Sequence, residues 1–267
     1  MTQPAWENPV KKAFREGRPV VAATITVNSI DVAAHAAAMG FDFLWIEMEH
    51  SPITLETLRN MVLATRGLPT VPFARVPVNE RWTAKRVLDA GVAGVIFPFT
   101  STPELAAQAA AACHYPPLGN RGSGPGLAKF CWPACDSYHD LADENVVSIA
   151  IIEEAQAVEN VDAIAATPGL DALFIGTSDL SFSLGLRGRQ DDPALEKAIT
   201  KVVAAARKHG KPLGRPVGNS ARIPEFIEQG FQLFQAPSEL VLLAAGAKQY
   251  LEPLGRMAPA SGPRSLY

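Results

Sequence analysis

Acidic side chains follow two apolar runs that lie far apart in the sequence. Glu153 comes directly after residues 149–152, and Asp179 comes four residues after the run 172–175. A carboxylate at the end of a buried strand must be solvated, paired or bound to a metal, because burying it alone is very costly. Two such groups suit a hard divalent ion. The structural alternative is that Asp179 is only a helix N-cap and Glu153 a surface charge.

His50 lies where another apolar run passes into a loop. Its imidazole can take up or deliver a proton near neutral pH. Glu47 and Glu49 precede it, and either carboxylate could orient the ring. The alternative is a loop histidine that is hydrogen-bonded to the backbone.

Arg75 lies within the apolar run 71–76. A guanidinium in such surroundings needs an anionic partner. That partner is either a substrate carboxylate or developing oxyanion, or a structural carboxylate such as Glu47 or Asp89.

Other chemistries have weaker support. No apolar run ends in lysine, so metal chemistry is favoured over imine chemistry. The glycine-rich segment 121–126 does not follow a strand, and Pro125 interrupts any helix there, which argues against a dinucleotide loop. Cys113, Cys131 and Cys135 have poor spacing for zinc.

Eight apolar runs alternate with eight helical patterns, which is the arrangement that must position these side chains. The predicted strands are 20–27, 43–47, 71–76, 94–97, 148–152, 172–175, 212–215 and 231–235, and the predicted helices are 31–39, 55–65, 81–90, 103–112, 158–166, 193–209, 223–229 and 239–250. Continuous apolar strands indicate a parallel sheet that is buried on both faces. Eight βα units in about 250 residues predict an α/β fold, a (β/α)8 TIM barrel, with an open doubly wound sheet as the alternative. The carboxyl ends of the strands would then bring the polar residues together.

Composition narrows the class of protein. The chain has 267 residues, with 24 basic and 27 acidic side chains and a net charge of -3, so a nucleic-acid partner is not expected. Three cysteines predict a reducing, cytoplasmic location, and neither a signal peptide nor a membrane span is expected. We predict a single barrel domain over residues 1–256 and a flexible tail over 257–267. The long segments 113–147 and 178–192 are expected on the rim of the barrel.

Three motifs, in order, resemble one family. They are Gly40–Leu44 continuing to Glu49-His50-Ser51-Pro52, then Tyr115-Pro116-Pro117-Leu118-Gly119-Asn120-Arg121-Gly122, then Phe174-Ile175-Gly176-Thr177-Ser178-Asp179-Leu180-Ser181. Together they resemble the metal-dependent HpcH/HpaI aldolases, over about residues 20–250. The resemblance implies a class II aldolase that reversibly cleaves a 4-hydroxy-2-oxo acid to pyruvate or hydroxypyruvate and an aldehyde, through a metal-stabilised enolate.

The resemblance also implies residue roles. Glu153 and Asp179 would hold Mg²⁺, Mn²⁺ or Co²⁺, which a 2-oxo acid would chelate. Backbone N–H groups of Gly176, Thr177 and Ser178 would bind the substrate carboxylate, and Arg75 would stabilise the enolate oxygen. His50, oriented by Glu47, would transfer a proton. A homohexamer built from dimers with exchanged C-terminal helices is implied as well.

The sequence departs from the family pattern at three positions. Glu47 stands where the family has aspartate, Ile151 replaces a glutamine, and Thr24 replaces a tryptophan. Two other functions remain open. One is an acyl-CoA lyase of the citrate-lyase β type, for which the rim offers only a small basic set, Arg121, Lys129 and Arg187. The other is a non-catalytic protein that binds 2-oxo acids.

Overall fold

Eight parallel strands close into a barrel in sequence order in a computed structural model, which describes residues 6–256. The strands are β1 (Val20–Ile25), β2 (Phe43–Glu47), β3 (Val71–Arg75), β4 (Gly94–Phe97), β5 (Val147–Ile152), β6 (Ala172–Ile175), β7 (Leu213–Pro216) and β8 (Leu233–Ser238). β8 pairs with β1, for example Val20 with Leu233, and this closure rules out the open sheet. The predicted (β/α)8 barrel is confirmed.

Helices surround the barrel. They are α1 (Pro9–Arg15), α2 (Ile30–Ala37), α3 (Leu55–Ala64), α4 (Arg81–Ala90), α5 (Pro103–Cys113), α6 (Ala128–Cys131), α7 (Tyr138–Asn145), α8 (Ala155–Glu159), α9 (Val161–Ala165), α10 (Thr177–Ser183), α11 (Pro193–Lys208), α12 (Ile223–Glu228) and α13 (Glu239–Leu251), with 3-10 turns at Ser220–Arg222 and Glu252–Leu254. Within residues 6–256, every helix is too short or too polar to cross a lipid bilayer.

Seven of the predicted helices are confirmed to within two residues at each end, and the helix predicted over 158–166 is corrected. That segment forms two short helices, α8 and α9, which meet at Asn160. Four helices were not predicted: α1, α6, α7 and α10. Thr54 and Thr102 cap α3 and α5 through their side chains, each accepting a hydrogen bond from the backbone N–H three residues ahead.

Aromatic side chains fill the interior of the barrel. Trp45 on β2 and Phe174 on β6 approach across the barrel, with ring centroids 4.8 Å apart. Gly214 on β7 leaves space for them, since a Cβ at that position would lie 2.5 Å from the Phe174 ring. The interior is therefore a packed core, and any open space lies above it at the strand ends.

The amino ends of the strands are covered by α1. Asn8 caps this helix and is fully buried, and its side-chain amide donates to the carbonyl oxygens of Ala93 (3.1 Å) and Asn145 (2.9 Å). Lys11 reaches Asp171 at 3.2 Å, just before β6. α1 thus covers part of this face, where a second cavity of about 520 Å³ lies beside Thr70, Val71 and Ala93.

The two long segments differ in position. Segment 113–147 contains α6 and α7 and, in the part of the chain described, contributes no residue to the cavity at the carboxyl ends of the strands. Because this segment runs from the end of α5 to the start of β5, it lies towards the amino ends of the strands, away from this cavity. Arg121 in this segment is buried, lying over the Tyr115 ring at 4.6 Å and beside Asp89 at 3.5 Å. Segment 178–192 does border the cavity, and the predicted tail 257–267 lies outside the described residues.

Candidate functional site

A cavity of about 460 Å³ opens at the carboxyl ends of the strands. Its lining includes all the residues predicted to bind a metal or substrate, namely Arg75, Glu153, Gly176, Thr177, Ser178 and Asp179. They come from β3, β5 and the start of α10, and barrel closure brings them together across a hundred residues of sequence. This is where the chemistry of a (β/α)8 barrel is found.

Arg75 lies at the centre of a buried cluster of charges. Its Nη1 atom is 3.3 Å from Glu47 Oε2, and its Nη2 atom is 3.6 Å from Glu153 Oε2 and in contact with Glu49 Oε2. The side chains of Arg75, Glu47, Glu49 and Glu153 are each less than a tenth exposed. One guanidinium therefore faces three carboxylates away from bulk water.

The negative charge of the cluster is only partly balanced. Burial raises the pKa of Glu49 to about 8 and that of Glu153 to about 7, although Arg75 lowers both. The charge of Asp179 adds to the rise at both carboxyls, so the three acids face one another. A divalent cation among these oxygens would supply the missing positive charge, and carboxylate oxygen is the donor that Mg²⁺ and Mn²⁺ prefer. The donor set therefore fits such an ion.

Glu153 is held in one orientation by the backbone around it. Its Oε1 atom accepts a hydrogen bond of 2.7 Å from the N–H of Phe99, a residue with a φ of 47° that is unusual for a bulky side chain. Gly176 packs against its other side, because a Cβ there would lie 2.8 Å from Glu153 Oε2. Glu153 is 1% exposed, so its interpretation as a surface charge is wrong.

Asp179 lies in the first turn of α10, which follows β6, and Glu153 directly follows the neighbouring strand β5. The N-cap of α10 is Gly176, which rules out the alternative that Asp179 is only a cap. The first-turn N–H groups of Thr177 and Ser178 have no hydrogen-bond acceptor among residues 6–256, whereas the N–H of Gly176 donates to Ile152 O at 3.2 Å. Two of the three predicted backbone donors are thus available to a ligand. Among the described residues, no group of three or more His, Cys, Asp and Glu side chains is arranged to hold a metal ion. An ion held by Glu153 and Asp179 would therefore keep coordination positions for water or substrate oxygens.

Glu47 and His50, predicted as catalytic residues, are not among the described residues that line the cavity, although Glu47 contacts Arg75. Glu47 Oε1 accepts hydrogen bonds from the backbone N–H groups of Glu49 (2.8 Å) and His50 (3.2 Å), and its Oε2 accepts one from Trp45 Nε1 (3.2 Å). Glu47 therefore fixes the turn that carries His50. The carboxylate beside the ring is Glu49, whose Oε2 lies 3.6 Å from His50 Nε2, and the His50 side chain is 42% exposed.

Several residues of the site were not singled out from the sequence. Glu49 was only one of two candidates to orient His50, and Arg215 is the last residue of the predicted strand 212–215. Trp45, Gln190 and Gln235 also line the cavity. The signal for Glu49 and Arg215 was already present, since both are charged residues that end an apolar run.

A comparison with protein families shows which family the chain belongs to. The model of HpcH/HpaI aldolase/citrate lyase matches residues 25–245. The chain belongs to this family. Membership confirms the family predicted from the three motifs and the enzyme class, an aldolase.

Curated members of the HpcH/HpaI family and their solved structures resemble the chain over most of its length. The 5-keto-4-deoxy-D-glucarate aldolase of Salmonella arizonae is 37% identical over 212 residues, which cover 79% of this chain and 82% of that protein. The protein of the same name from Klebsiella pneumoniae is 38% identical over 203 residues, covering 75% and 78%. The crystal structure of an HpcH/HpaI aldolase/citrate lyase family protein from Burkholderia cenocepacia is 31% identical, with a TM-score of 0.85 over 93% of this chain and 100% of that one.

Proposed function

We propose that this protein is a class II aldolase that reversibly cleaves a 4-hydroxy-2-oxo acid to pyruvate or hydroxypyruvate and an aldehyde. Glu153 and Asp179 hold Mg²⁺, Mn²⁺ or Co²⁺ in this proposal. The observation that carries it is that Glu153 and Asp179, which follow the adjacent strands β5 and β6, line one cavity with Arg75, whose buried guanidinium also contacts Glu47 and Glu49. The named relatives act on a keto-deoxy sugar acid, as their names state, and this supports the substrate class.

The metal, when bound, supplies Lewis-acid polarisation of the ketone. Arg75 adds a fixed guanidinium beside Glu153, directed at the oxygen on which negative charge develops. The carboxylates of Glu47 and Glu49 hold that guanidinium in place. Because the group is oriented before the reaction, little reorganisation is needed when the charge forms.

Substrate orientation and proton transfer fall to other groups. The first-turn N–H groups of Thr177 and Ser178 bind the carboxylate of the 2-oxo acid, as backbone donors at a helix start do. His50 moves the proton through a water, because its ring is partly exposed and Glu49, which contacts Arg75, lies beside it. Glu47 contributes by holding the backbone of His50.

The oligomer is also part of the proposal. α13 has no buried residue within the described chain. It carries large apolar side chains that are at least half exposed, namely Leu240, Leu243 and Tyr250. Exposed apolar side chains along one helix indicate a protein partner, in agreement with helix exchange within a hexamer. Three free cysteines support a reducing, cytoplasmic location. The acyl-CoA lyase has no observation in its favour, since Arg121 of its basic set is buried.

Exhaustive chelation followed by metal addition tests the proposal. The treated protein should neither cleave 4-hydroxy-2-oxo acids nor exchange the methyl protons of pyruvate with D₂O, and Mn²⁺ should restore both. Full activity after chelation would remove the metal from the reaction. Pyruvate binding without proton exchange would instead show a non-catalytic binding protein.

A further inference from the structure

The backbone of Phe99 has a conformation that bulky residues rarely adopt. Its φ of 47° lies in the left-handed region, where the Cβ atom crowds the following carbonyl oxygen. In this conformation the Phe99 N–H donates to Glu153 Oε1 at 2.7 Å, while the Phe99 ring remains 42% exposed. Burial of the ring therefore does not account for the strained backbone, which instead accompanies a contact with a proposed metal ligand.

A strained residue keeps its conformation only when its neighbours hold it. Thr100 is fully buried, and its N–H donates to the carbonyl oxygen of Ile151 on β5 at 3.3 Å. Its hydroxyl donates to the carbonyl oxygen of Phe97, the last residue of β4, at 3.2 Å. These two bonds close the turn over residues 97–100 and hold it against β5. Phe99 lies inside the turn, so its backbone cannot rotate freely while both bonds are made.

Asn79 supports the Thr100 hydroxyl from the loop that follows β3. It stands directly before Glu80, the N-cap of α4, but no side chain caps this helix. The Asn79 Nδ2 atom instead donates to Thr100 Oγ1 at 3.1 Å and to Leu105 O at 3.3 Å, and the residue is 7% exposed. Its own carbonyl oxygen accepts a hydrogen bond of 2.8 Å from Gln108 on α5. Asn79 therefore ties the loop after β3 to the turn after β4.

The hydrogen bonds form a path across three neighbouring strands. Asn79 follows β3, which ends at Arg75; Thr100 follows β4, and Glu153 follows β5. The net contribution of one or two hydrogen bonds is comparable with the strain of a bulky residue in the left-handed region. Loss of the Thr100 hydroxyl is therefore enough to let Phe99 relax, and its N–H then moves away from the Glu153 carboxylate.

We propose that Thr100 and Asn79 are positioning residues, which hold the strained backbone of Phe99 so that its N–H orients Glu153 for the metal. This inference rests on the proposed aldolase function, because that function makes Glu153 a metal ligand. It assigns to the two residues a role in metal affinity, with no contact to the substrate.

Titration with Mn²⁺, followed by the electron paramagnetic resonance of the free ion, measures this role without any turnover. Thr100→Val keeps the shape of the side chain but loses the hydroxyl, and it should weaken Mn²⁺ binding by about 10-fold, as is usual for groups that orient a metal ligand. Thr100→Ser keeps the hydroxyl and should stay within about threefold of wild type.

Thr70→Val is the matched control. Thr70 is also buried, and its hydroxyl donates to the carbonyl oxygens of Ala37 and Phe41, but it lies before β3, at the amino ends of the strands. This variant should lower the melting temperature, as Thr100→Val does, and should leave Mn²⁺ affinity within about threefold of wild type. Equal losses of affinity in Thr70→Val and Thr100→Val would reduce Thr100 to a structural residue and overturn the proposal.

A Phe99→Gly background tests the strain itself. Glycine adopts a positive φ without steric cost, so the support of Thr100 is no longer required there. Thr100→Val should therefore weaken Mn²⁺ binding by less than about threefold in this background, against about 10-fold in wild type. An equal loss in both backgrounds would show that the hydroxyl does not act through the Phe99 backbone.

The affinity of wild type separates this inference from the proposed function. If wild type does not bind Mn²⁺, the aldolase proposal fails and the positioning role fails with it. If wild type binds Mn²⁺ and Thr100→Val binds it equally, only the positioning role is overturned. Should Thr100→Val not fold, Asn79→Ala gives the same test, because it removes the donor to Thr100 and keeps the hydroxyl. It should weaken binding by about three- to 10-fold, and unchanged affinity would again overturn the role.

Discussion

Arg75 contacts three buried carboxylates, those of Glu47, Glu49 and Glu153. Each carboxylate around it has a different second contact: Glu47 accepts from backbone N–H groups, Glu153 accepts from Phe99, and Glu49 lies beside the His50 ring. The guanidinium joins these three contacts into one network. Its planar fork can address several oxygens at once, which an ammonium group cannot do.

Arg75→Lys is therefore not a conservative change. We expect kcat to fall by about 10²–10³-fold, the cost of losing one preorganised electrostatic contact, while the barrel remains folded because the positive charge is kept. Steady-state kinetics and the melting temperature measure the two effects. Arg81→Lys, at the exposed start of α4, is the control. Turnover within threefold of wild type in Arg75→Lys would remove Arg75 from the mechanism.

Residue type and strand position were enough to predict that Arg75, Glu153 and Asp179 come together at the carboxyl ends of the strands. They could not separate Glu47 from Glu49, because residues two apart in a strand face the same side. β2 ends at Glu47, and the chain then turns so that Glu47 binds the backbone while Glu49 reaches the His50 ring. That distinction depends on the path of the turn after β2, which the alternation of side chains along a strand does not predict.

At the scale of elements, the junction of β6 and α10 is the tightest part of the site. An added Cβ at Gly176 would lie 2.8 Å from both Cβ and Oε2 of Glu153. Gly176→Ala should displace Glu153 and weaken Mn²⁺ binding by at least about 10-fold, and it should also lower the free energy of unfolding by about 1–3 kcal/mol, because the contact with the Glu153 Cβ cannot be relieved by side-chain rotation. Gly126→Ala is the matched control, since nothing lies within 4 Å of a Cβ there. Titration of both variants with Mn²⁺ measures the effect, and equal affinities would contradict the packing argument.

The sequence predicted the regular helices better than the short ones. α10 has no side chain at its N-cap, so nothing in the sequence marks its start. α1 begins with a capping residue followed by proline, Asn8-Pro9, just as α5 begins with Thr102-Pro103. It was not predicted because it precedes the first strand and so lies outside the βα repeat. Period and repeat predicted the barrel, whereas the helices outside that repeat were not predicted.

The polar contacts of α1 should make a large contribution to stability. Asn8 supplies an N-cap and two side-chain hydrogen bonds to carbonyl groups, all buried. Asn8→Ala should lower the free energy of unfolding by about 2–3 kcal/mol, because the partners remain buried without hydrogen bonds. Thr102→Ala, which loses a cap alone, should cost about 1 kcal/mol. Urea denaturation measures both, and equal losses would contradict the bridging role of Asn8.

At the scale of the whole molecule, the site concentrates buried carboxylates, and their mutual repulsion lowers the stability of the folded protein when they are ionised. Without metal, the pKa of Glu153 is about 7 and that of Glu49 about 8, against an ordinary value of 4.5. A raised carboxyl pKa stabilises the folded protein at pH values below 4.5, and this contribution is lost as pH rises through the folded value. The metal-free barrel should therefore lose stability between about pH 4.5 and 8.

Comparison of wild type with Glu153→Gln isolates this effect. In the presence of a chelator, the melting temperature of the variant relative to wild type should increase from pH 5 to pH 8, because the glutamine cannot ionise. Glu56→Gln is the control, since Glu56 is exposed on α3 and is not among the charges that shift the pKa of Glu153. A difference between Glu153→Gln and wild type that is independent of pH would show that Glu153 is ionised throughout.

Anomalous diffraction from a crystal soaked with Mn²⁺ and pyruvate tests the central claim most directly. The account predicts one strong manganese peak between the carboxylates of Glu153 and Asp179, with the keto and carboxylate oxygens of pyruvate on the same ion and Arg75 beside them. A manganese peak elsewhere, or pyruvate bound in the cavity with no metal between those two side chains, would contradict it.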